Sequence, residues 1–138
     1  MQPQVTFSIT STIKNIPKAD WDNLFGQGLI ESYGFQKTLE EAKLSEFSLG
    51  YLLAKEEEKL VAIIPFFSMD FSLDAISGKF LRFLKLKILF LGSPTAEECY
   101  LGVAEAKDLK SILAGAIGSF VCLDGVSSLN SSIRLDKR

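Results

Sequence analysis

The chain has 138 residues, of which 47% are hydrophobic, 11% aromatic and 23% charged. This length is the size of one domain, and this composition is typical of a packed globular protein and excludes a mainly disordered one. The net charge is −2 and histidine is absent, so we expect no binding to DNA, no Ser–His or Cys–His nucleophile pair and no ordinary zinc site. Any chemistry would have to use carboxylates, Lys, Tyr, Ser or the backbone.

Cysteine spacing and hydropathy indicate the cellular compartment in which the protein is expected. Cys99 and Cys122 form no C-x-x-C motif, so we predict two reduced thiols rather than a metal site or a disulfide framework. The segment from Met1 to Ser11 lacks the basic region and the apolar run of a signal peptide. No stretch approaches the roughly 20 apolar residues that span a bilayer. We therefore expect a cytoplasmic protein with no membrane span and no bound metal.

The first third of the chain predicts one strand and two helices. Val5, Phe7 and Ile9 alternate with polar residues, which predicts a strand over about 4–13. A first helix is predicted to begin with Pro17 as its first residue and to stop at Gly26. A second helix is predicted over about 34–44, where the apolar residues fall on one stripe.

The middle of the chain predicts an antiparallel hairpin. Two apolar strands, at 47–54 and 61–67, are joined by a charged turn at 55–59. The second strand is continuously apolar and extends to about residue 73, which predicts a central strand buried on both faces. Because Pro65 cannot donate a ladder hydrogen bond, it predicts a bulge, a sheet edge or a change of pairing partner.

The second half of the chain predicts a third helix and further strands. The helix, over about 108–123, contains Gly115 and Gly118, which would allow it to lie close against a sheet. In chain order the predicted segments are a turn at 74–79, a strand end or helical turn at 80–84, a strand at 85–91, a loop at 92–94, irregular chain at 95–105, the helix, and a strand at 127–135. The order β-α-α-β-β-β-α-β is that of an α/β (α+β) domain with a mixed, mostly antiparallel sheet and flanking helices.

Several groups of residues invite a chemical interpretation and also have a structural one. The Gly26-Gln27-Gly28 segment follows a helix, so we expect a turn rather than a phosphate cradle. The run Glu56–Glu58 is expected to be a solvated turn. The pair Glu97-Glu98 follows a strand and a Gly-Ser-Pro loop, which is a position where sheet proteins place ligands. Four basic residues are interleaved with phenylalanine, a pattern typical of either a nucleic-acid or acidic-lipid surface or an ordinary solvent face; they are Lys79, Arg82, Lys85 and Lys87.

Five short sequence words follow one another along the chain. They are Ile16-Pro17-x-x-x-Trp21-Asp22, Phe35-Gln36-x-x-Leu39-Glu40, Tyr51-Leu52-Leu53-Ala54, Leu60-Val61-Ala62-Ile63-Ile64-Pro65-Phe66 and Leu89-Phe90-Leu91-Gly92-Ser93-Pro94. This arrangement, over about residues 5–125, resembles the N-terminal half of the FemAB-like and cellulose-biosynthesis-type acyltransferases, members of the GNAT (N-acetyltransferase) fold superfamily. Such proteins carry two GNAT-like modules in tandem. The resemblance implies that residues 1–138 are one GNAT-like domain, the first module, incomplete at its C-terminus.

The resemblance also implies a function. Proteins of this family transfer an acyl or aminoacyl group, from acyl-CoA or aminoacyl-tRNA, to an amine or hydroxyl of a cell-envelope precursor or small molecule. The donor signature, Gln/Arg-x-x-Gly-x-Gly/Ala, should lie near residues 91–108, and it is missing between Gly92 and Ala104. We therefore expect that this chain alone binds no donor. No catalytic residue is assigned, and the residues expected to contribute to substrate binding are Phe66, Gly92, Ser93, Pro94, Glu97 and Tyr100.

A second hypothesis comes from a different class. The chain could be a non-catalytic structural or interaction domain that pairs through an exposed sheet edge with a second module, a partner chain or itself. A third, a stand-alone GNAT enzyme, is disfavoured by the missing donor signature.

Overall fold

The computed structural model describes residues 4–26, 28–72, 85–95, 100–105 and 107–119. Within these residues it contains an antiparallel sheet with helices packed on it, so the predicted α+β class is confirmed. In chain order the elements are β1 (Val5–Thr10), a 3-10 turn (Ile13–Asn15), α1 (Lys18–Phe25), α2 (Tyr33–Glu41), β2 (Ser48–Glu56), β3 (Lys59–Ser72), β4 (Lys85–Leu91), β5 (Gly102–Val103) and α3 (Leu109–Ser119).

The 14-residue strand β3 lies in the middle of the sheet. The strand order is β1-β2-β3-β4, and every pairing is antiparallel. Strand β5 pairs with Ala62 and Ile63 of β3, on the edge that β4 occupies further along. All residues from Val61 to Pro65 are buried, so the predicted central strand is confirmed.

Both faces of this central region carry a hydrophobic core. On one face α3 packs against alternate residues of β2 and β3, and that core consists of Leu52, Ala54, Val61, Ala62, Ile64, Ile112 and Ala116. On the other face α1 and the 3-10 turn cover the intervening residues, and that core consists of Ile13, Ile16, Trp21, Tyr51, Leu53 and Ile63. Burying one such large apolar side chain contributes about 1.5–3 kcal/mol, so the fold is most stable where β2 and β3 are covered on both faces.

The helix ends differ from the predicted ones by a few residues. Pro17 is the N-cap of α1 rather than its first helical residue, and Gly26 ends the helix with a φ of 72°. The side chain of Ser32 accepts a hydrogen bond from the N–H of Phe35 and so caps α2. That helix ends at Glu41, three residues before the predicted end. Sequence patterns predict helix ends only to within a few residues, because the hydrogen bonds of the capping residues decide where each helix begins and stops.

The β2–β3 hairpin closes more tightly than predicted. Strand pairing continues to Glu56 and Lys59, so only Glu57 and Glu58 remain as turn residues, instead of the predicted 55–59. Their φ values are 47° and 67°. Two successive positive φ values are the mark of a type I′ turn, which usually contains Asn-Gly. This hairpin therefore places two glutamates in a conformation that L residues adopt at a cost.

Other sequence predictions have mixed outcomes. The predicted strand 4–13 is shorter, because it ends at Thr10 and the 3-10 turn follows. The prediction of irregular chain at 95–105 is wrong at β5, since a two-residue strand has no periodicity to detect. The predictions at 74–79, 80–84, 120–123 and 127–135, together with Cys99 and Cys122, lie outside the described residues. No helix within the described ranges is long and apolar enough to cross a membrane.

Candidate functional site

One edge of β3 changes its pairing partner near Pro65. Strand β4 pairs with β3 from Phe66 onward, whereas β5 pairs with it only at Ala62 and Ile63. Of the three alternatives that Pro65 predicts, the change of pairing partner is the one observed. The carbonyl of Pro65 accepts the N–H of Gly92 at 2.7 Å. Because the N–H and C=O of one strand residue point to the same edge, the missing N–H of Pro65 faces that edge and no bond to β2 is lost.

The β4–β5 loop, described at residues 92–95 and 100–101, leaves the sheet edge beside Pro65 and ends where β5 joins that edge. Gly92 is buried and has a φ of 109°, a conformation that favours glycine. Ser93 follows it and is also buried, while Pro94 is half-buried. The hydroxyls of Ser93 and Thr95 lie 3.0 Å apart and form a hydrogen bond. A left-handed glycine thus turns the chain off the sheet and directs Ser93 inward.

Ser93 and Tyr100 meet across this loop. The side chain of Ser93 lies close enough to the Tyr100 hydroxyl to lower its pKa, and Nε2 of Gln36 donates to the Tyr100 hydroxyl at 2.6 Å. Gln36 is 3% exposed and Ser93 6%, which makes them the two buried polar side chains among the described residues. We call Gln36, Ser93 and Tyr100 the hydroxyl cluster.

The hydroxyl cluster holds the connection between α1 and α2. The backbone carbonyl of Ile30 accepts from Nε2 of Gln36 at 3.1 Å and from the Tyr100 hydroxyl at 3.4 Å. The carbonyl of Glu31 accepts from Nε1 of Trp21 at 2.7 Å. The β4–β5 loop is thereby fixed to the helical layer, and the ring of Tyr100 lies edge-on to that of Phe25.

Tyr100 keeps its proton at neutral pH. Burial raises the pKa of its hydroxyl, and the carboxylate of Glu31 adds a smaller increase. Hydrogen bonds from Ser93 and Gln36 act in the opposite direction and lower the pKa, but the net direction is upward. The group is therefore a hydrogen-bond donor and acceptor rather than a phenolate nucleophile.

Phe66, another predicted site residue, lies apart from the hydroxyl cluster. Phe66 contributes to the core on the α3 side of the sheet, whereas Tyr100 rests on Phe25 on the α1 side. A Cβ atom at Gly50 would lie 2.3 Å from Cζ of Phe66, so the ring of Phe66 fills the space over that glycine. Phe66 therefore lies on the opposite face of the sheet from Tyr100, and its role in substrate binding stays a prediction. Glu97 lies outside the described residues.

Glu40 makes three polar contacts and was not among the predicted site residues. Its carboxylate accepts the hydroxyl of Thr12 at 2.5 Å, the N–H of Ile13 at 2.8 Å and the hydroxyl of Tyr51 at 3.4 Å. Burial raises the pKa of Tyr51, and the neighbouring Glu40 carboxylate raises it further. A signal existed in the sequence, because Gln36 and Glu40 are four residues apart and share one helix face with the buried Leu39.

Two grooves lie away from the hydroxyl cluster. One, of about 370 Å³, lies beside β5 and the start of α3 and is lined by Leu101, Val103, Ala104, Glu105, Lys107 and Leu109. The other, of about 460 Å³, lies over β3 and β4 and is lined by Ser45, Glu46, Ser48, Ser68, Met69, Asp70 and Lys87. Both are lined by described residues that the sequence analysis did not predict to bind substrate.

The cluster can orient a polar ligand but offers no activated nucleophile. Ser93 and Tyr100 have hydroxyl and amide partners in the described part of the chain, and an activated serine needs a general base beside it. Among the same residues, no three Cys, Asp or Glu side chains are grouped closely enough to hold a metal ion. The arrangement can therefore supply hydrogen bonds to a carbonyl, amine or hydroxyl.

Comparison with known proteins found no match: no family model, no curated protein and no solved structure is similar to this chain. The resemblance to FemAB-like acyltransferases, which rests on short sequence words, stays a prediction.

Proposed function

We propose that the chain is the first module of a FemAB-like acyl- or aminoacyl-transferase that acts on an amine or hydroxyl of a cell-envelope precursor or small molecule. The observation that carries this proposal is the hydrogen bond between the buried Gln36 and Tyr100, in a loop that begins with the buried Ser93 and leaves the sheet beside Pro65. Loops positioned by a rigid sheet are the usual place for ligand-binding residues. The role of this module is to bind and orient the acceptor.

The hydrogen bonds of the cluster indicate how an acceptor would bind. The contact from the Tyr100 hydroxyl to the carbonyl of Ile30 is 3.4 Å long, against 2.6 Å for the bond from Gln36 to the same hydroxyl. Hydrogen bonds weaken with length, so a ligand would replace the contact to Ile30 first. The protonated Tyr100 would then donate to an acceptor oxygen or nitrogen and hold it in a fixed orientation.

The donor, acyl-CoA or aminoacyl-tRNA, would be held by a second GNAT-like module. The β4–β5 loop contains Gly92 but not the further glycines that would bring several N–H groups to a pyrophosphate. Isothermal titration calorimetry with acetyl-CoA tests this division of labour. We expect no binding to this chain, and micromolar affinity would contradict the proposal.

Acceptor binding has its own test. Amide chemical shifts of the chain would be followed by NMR during titration with a panel of short amines, amino sugars and D-amino-acid peptides. We expect at least one compound to shift the resonances of Ser93 and Tyr100, and Tyr100→Phe to abolish that shift. Tyr33→Phe is the matched control, since its hydroxyl donates to Ile13 outside the loop. A panel that leaves Ser93 and Tyr100 unchanged would count against the site.

A second function, that of an interaction domain, is favoured by the edge strand β4. Within the described residues, β4 pairs with β3 on one edge only and ends the sheet. Its apolar side chains are unusually accessible, with Leu86 49%, Leu89 45% and Phe90 39% exposed. Exposed apolar edge strands are typical surfaces for pairing with another chain. Sedimentation velocity over a concentration series tests whether the chain associates.

A further inference from the structure

We propose that β4 pairs with β4 of a second copy of this chain, antiparallel and centred on Ile88, to form one continuous sheet. This inference deepens the second function above and rests on it. Its partner is a second copy because the side-chain pattern of β4 is complementary to itself, as its two faces and its backbone show.

The two faces of β4 have different characters. Register with β3 places Leu86, Ile88 and Phe90 on one face, opposite Phe71, Met69 and Phe67. The rings of Phe67 and Phe90 stack with centroids 4.9 Å apart, so this face is apolar from strand to strand. The other face carries Lys85, Lys87, Leu89 and Leu91.

Within the described residues, the backbone N–H and C=O groups of alternate residues of β4 have no strand beside them. The N–H of Gly92 donates to Pro65 of β3, and successive strand residues point to opposite edges. Leu86, Ile88 and Phe90 therefore face β3, like Gly92. The N–H and C=O groups of Lys85, Lys87, Leu89 and Leu91 point to the outer edge, where they can pair with a second strand.

A two-fold axis perpendicular to the sheet allows only registers that keep each face together. With Ile88 at the axis, Ile88 lies opposite its own copy and Leu86 lies opposite Phe90, so the apolar face continues across both chains. Lys87 then lies opposite Leu89, and all seven residues of β4 are matched. Aromatic and β-branched pairs of this kind stabilise neighbouring strands.

Charge repulsion disfavours the register that is centred on Lys87. With Lys87 at the axis, two Lys87 ammonium groups would lie directly opposite each other, which is destabilising. In the register centred on Ile88, Lys87 instead lies between Leu89 of the second copy and Asp70 of its own β3. The edge lysines therefore act as a register selector rather than as a block to all pairing.

Disulfide trapping tests the register. In a background with both natural cysteines replaced by serine, Ile88→Cys should give a cross-linked dimer on mild oxidation. A non-hydrogen-bonded antiparallel pair has Cα atoms about 4.5 Å apart, within disulfide range. Leu86→Cys is the matched control and should give no cross-linked dimer, because residue 86 would lie opposite residue 90 of the second copy, four positions from the other residue 86. Cross-linking of Leu86→Cys in place of Ile88→Cys would overturn the proposed register.

Leu89→Pro tests the strand pairing itself. Proline at position 89 removes an outward N–H and leaves the bonds to β3 in place. Sedimentation equilibrium should show the wild-type chain approaching twice 15.2 kDa at high concentration, and Leu89→Pro associating about 30-fold more weakly. Circular dichroism would confirm that the variant is folded. A wild-type chain that stays monomeric throughout would overturn the pairing, and it would leave the acceptor and acetyl-CoA titrations unaffected.

Discussion

The carboxylate of Glu40 in α2 accepts a hydrogen bond from the backbone N–H of Ile13 at 2.8 Å, across 27 positions of sequence. Ile13 is fully buried and opens the 3-10 turn that follows β1. This contact joins the start of the chain to the second helix, in the layer that covers one face of the sheet. A buried N–H left without a partner is costly, so the stability of this layer depends on one side chain.

Glu40→Ala should lower the free energy of unfolding by about 1.5–3 kcal/mol, the range for hydrogen bonds to a charged group. The neighbouring Glu41 is the control. Its side chain is 55% exposed and lies 3.8 Å from that of Lys14, so Glu41→Ala should cost less than about 1 kcal/mol. Urea unfolding of both variants measures the difference. Equal losses would show that Glu40 has no special role.

The two glycines of α3 give opposite predictions. A Cβ at Gly115 would lie 2.5 Å from Cζ of Phe7, whereas a Cβ at Gly118 would have no atom within 4 Å. Gly118→Ala should therefore stabilise the chain by up to about 1 kcal/mol through helix propensity. Gly115→Ala should destabilise it by about 1 kcal/mol, because overpacking outweighs that gain.

Thermal unfolding of both alanine variants provides the measurement. The double variant Gly115→Ala with Phe7→Leu should recover part of the loss, since the smaller side chain leaves room for the added methyl group. A Gly115→Ala variant as stable as Gly118→Ala would contradict the close packing of α3 on β1.

The β2–β3 turn can be improved. Glu57 and Glu58 both have positive φ values, and a type I′ turn prefers Asn-Gly. The double substitution Glu57→Asn with Glu58→Gly should raise the free energy of unfolding by about 1–2 kcal/mol, because the strain of each L residue is relieved. Lys55→Asn, outside the turn, serves as a control for removing a nearby charge. No change in the urea midpoint would argue against this turn geometry.

Alkaline pH should destabilise the chain through Tyr51 and Tyr100. Folding raises the pKa of both hydroxyls. Above about pH 10, where an ordinary tyrosine ionises, the unfolded chain has lost protons that the folded chain still holds. Stability therefore falls as the pH rises above that point and is unaffected below it. Urea unfolding between about pH 8 and pH 11 should show a shallower decline for Tyr51→Phe.

Much of the fold could be predicted because the order of apolar and polar residues along the chain indicates which side chains are buried. The continuous apolar run from Val61 to Ile64 indicated a central strand, and Pro65 indicated a bulge, a sheet edge or a change of pairing. The central strand is confirmed, since a buried strand must be apolar on each face, and at Pro65 the change of pairing is the alternative observed. Ser93 and Tyr100 were both predicted to contribute to one substrate-binding site, because both lie in the loop that follows β4.

The polar contacts between distant segments could not be predicted in the same way. Gln36 and Tyr100 are 64 positions apart, and no periodicity links residues that meet only through the fold. Helix periodicity marked Leu39 as buried but gave no partner for Glu40. The face on which Phe66 lies could not be predicted for a related reason, since the side of the sheet that a strand residue faces depends on register.

The change of partners at Pro65 divides β3 into two zones of amide hydrogen exchange. Before Pro65 the strand is buried between α1 and α3, so its amides should exchange only when the whole domain unfolds. After Pro65 the strand pairs with β4, whose side chains are partly accessible, and local opening should suffice there. Protection factors along β3 should therefore drop within a few residues of Pro65, and the association of β4 with a second copy would raise them only in the later zone.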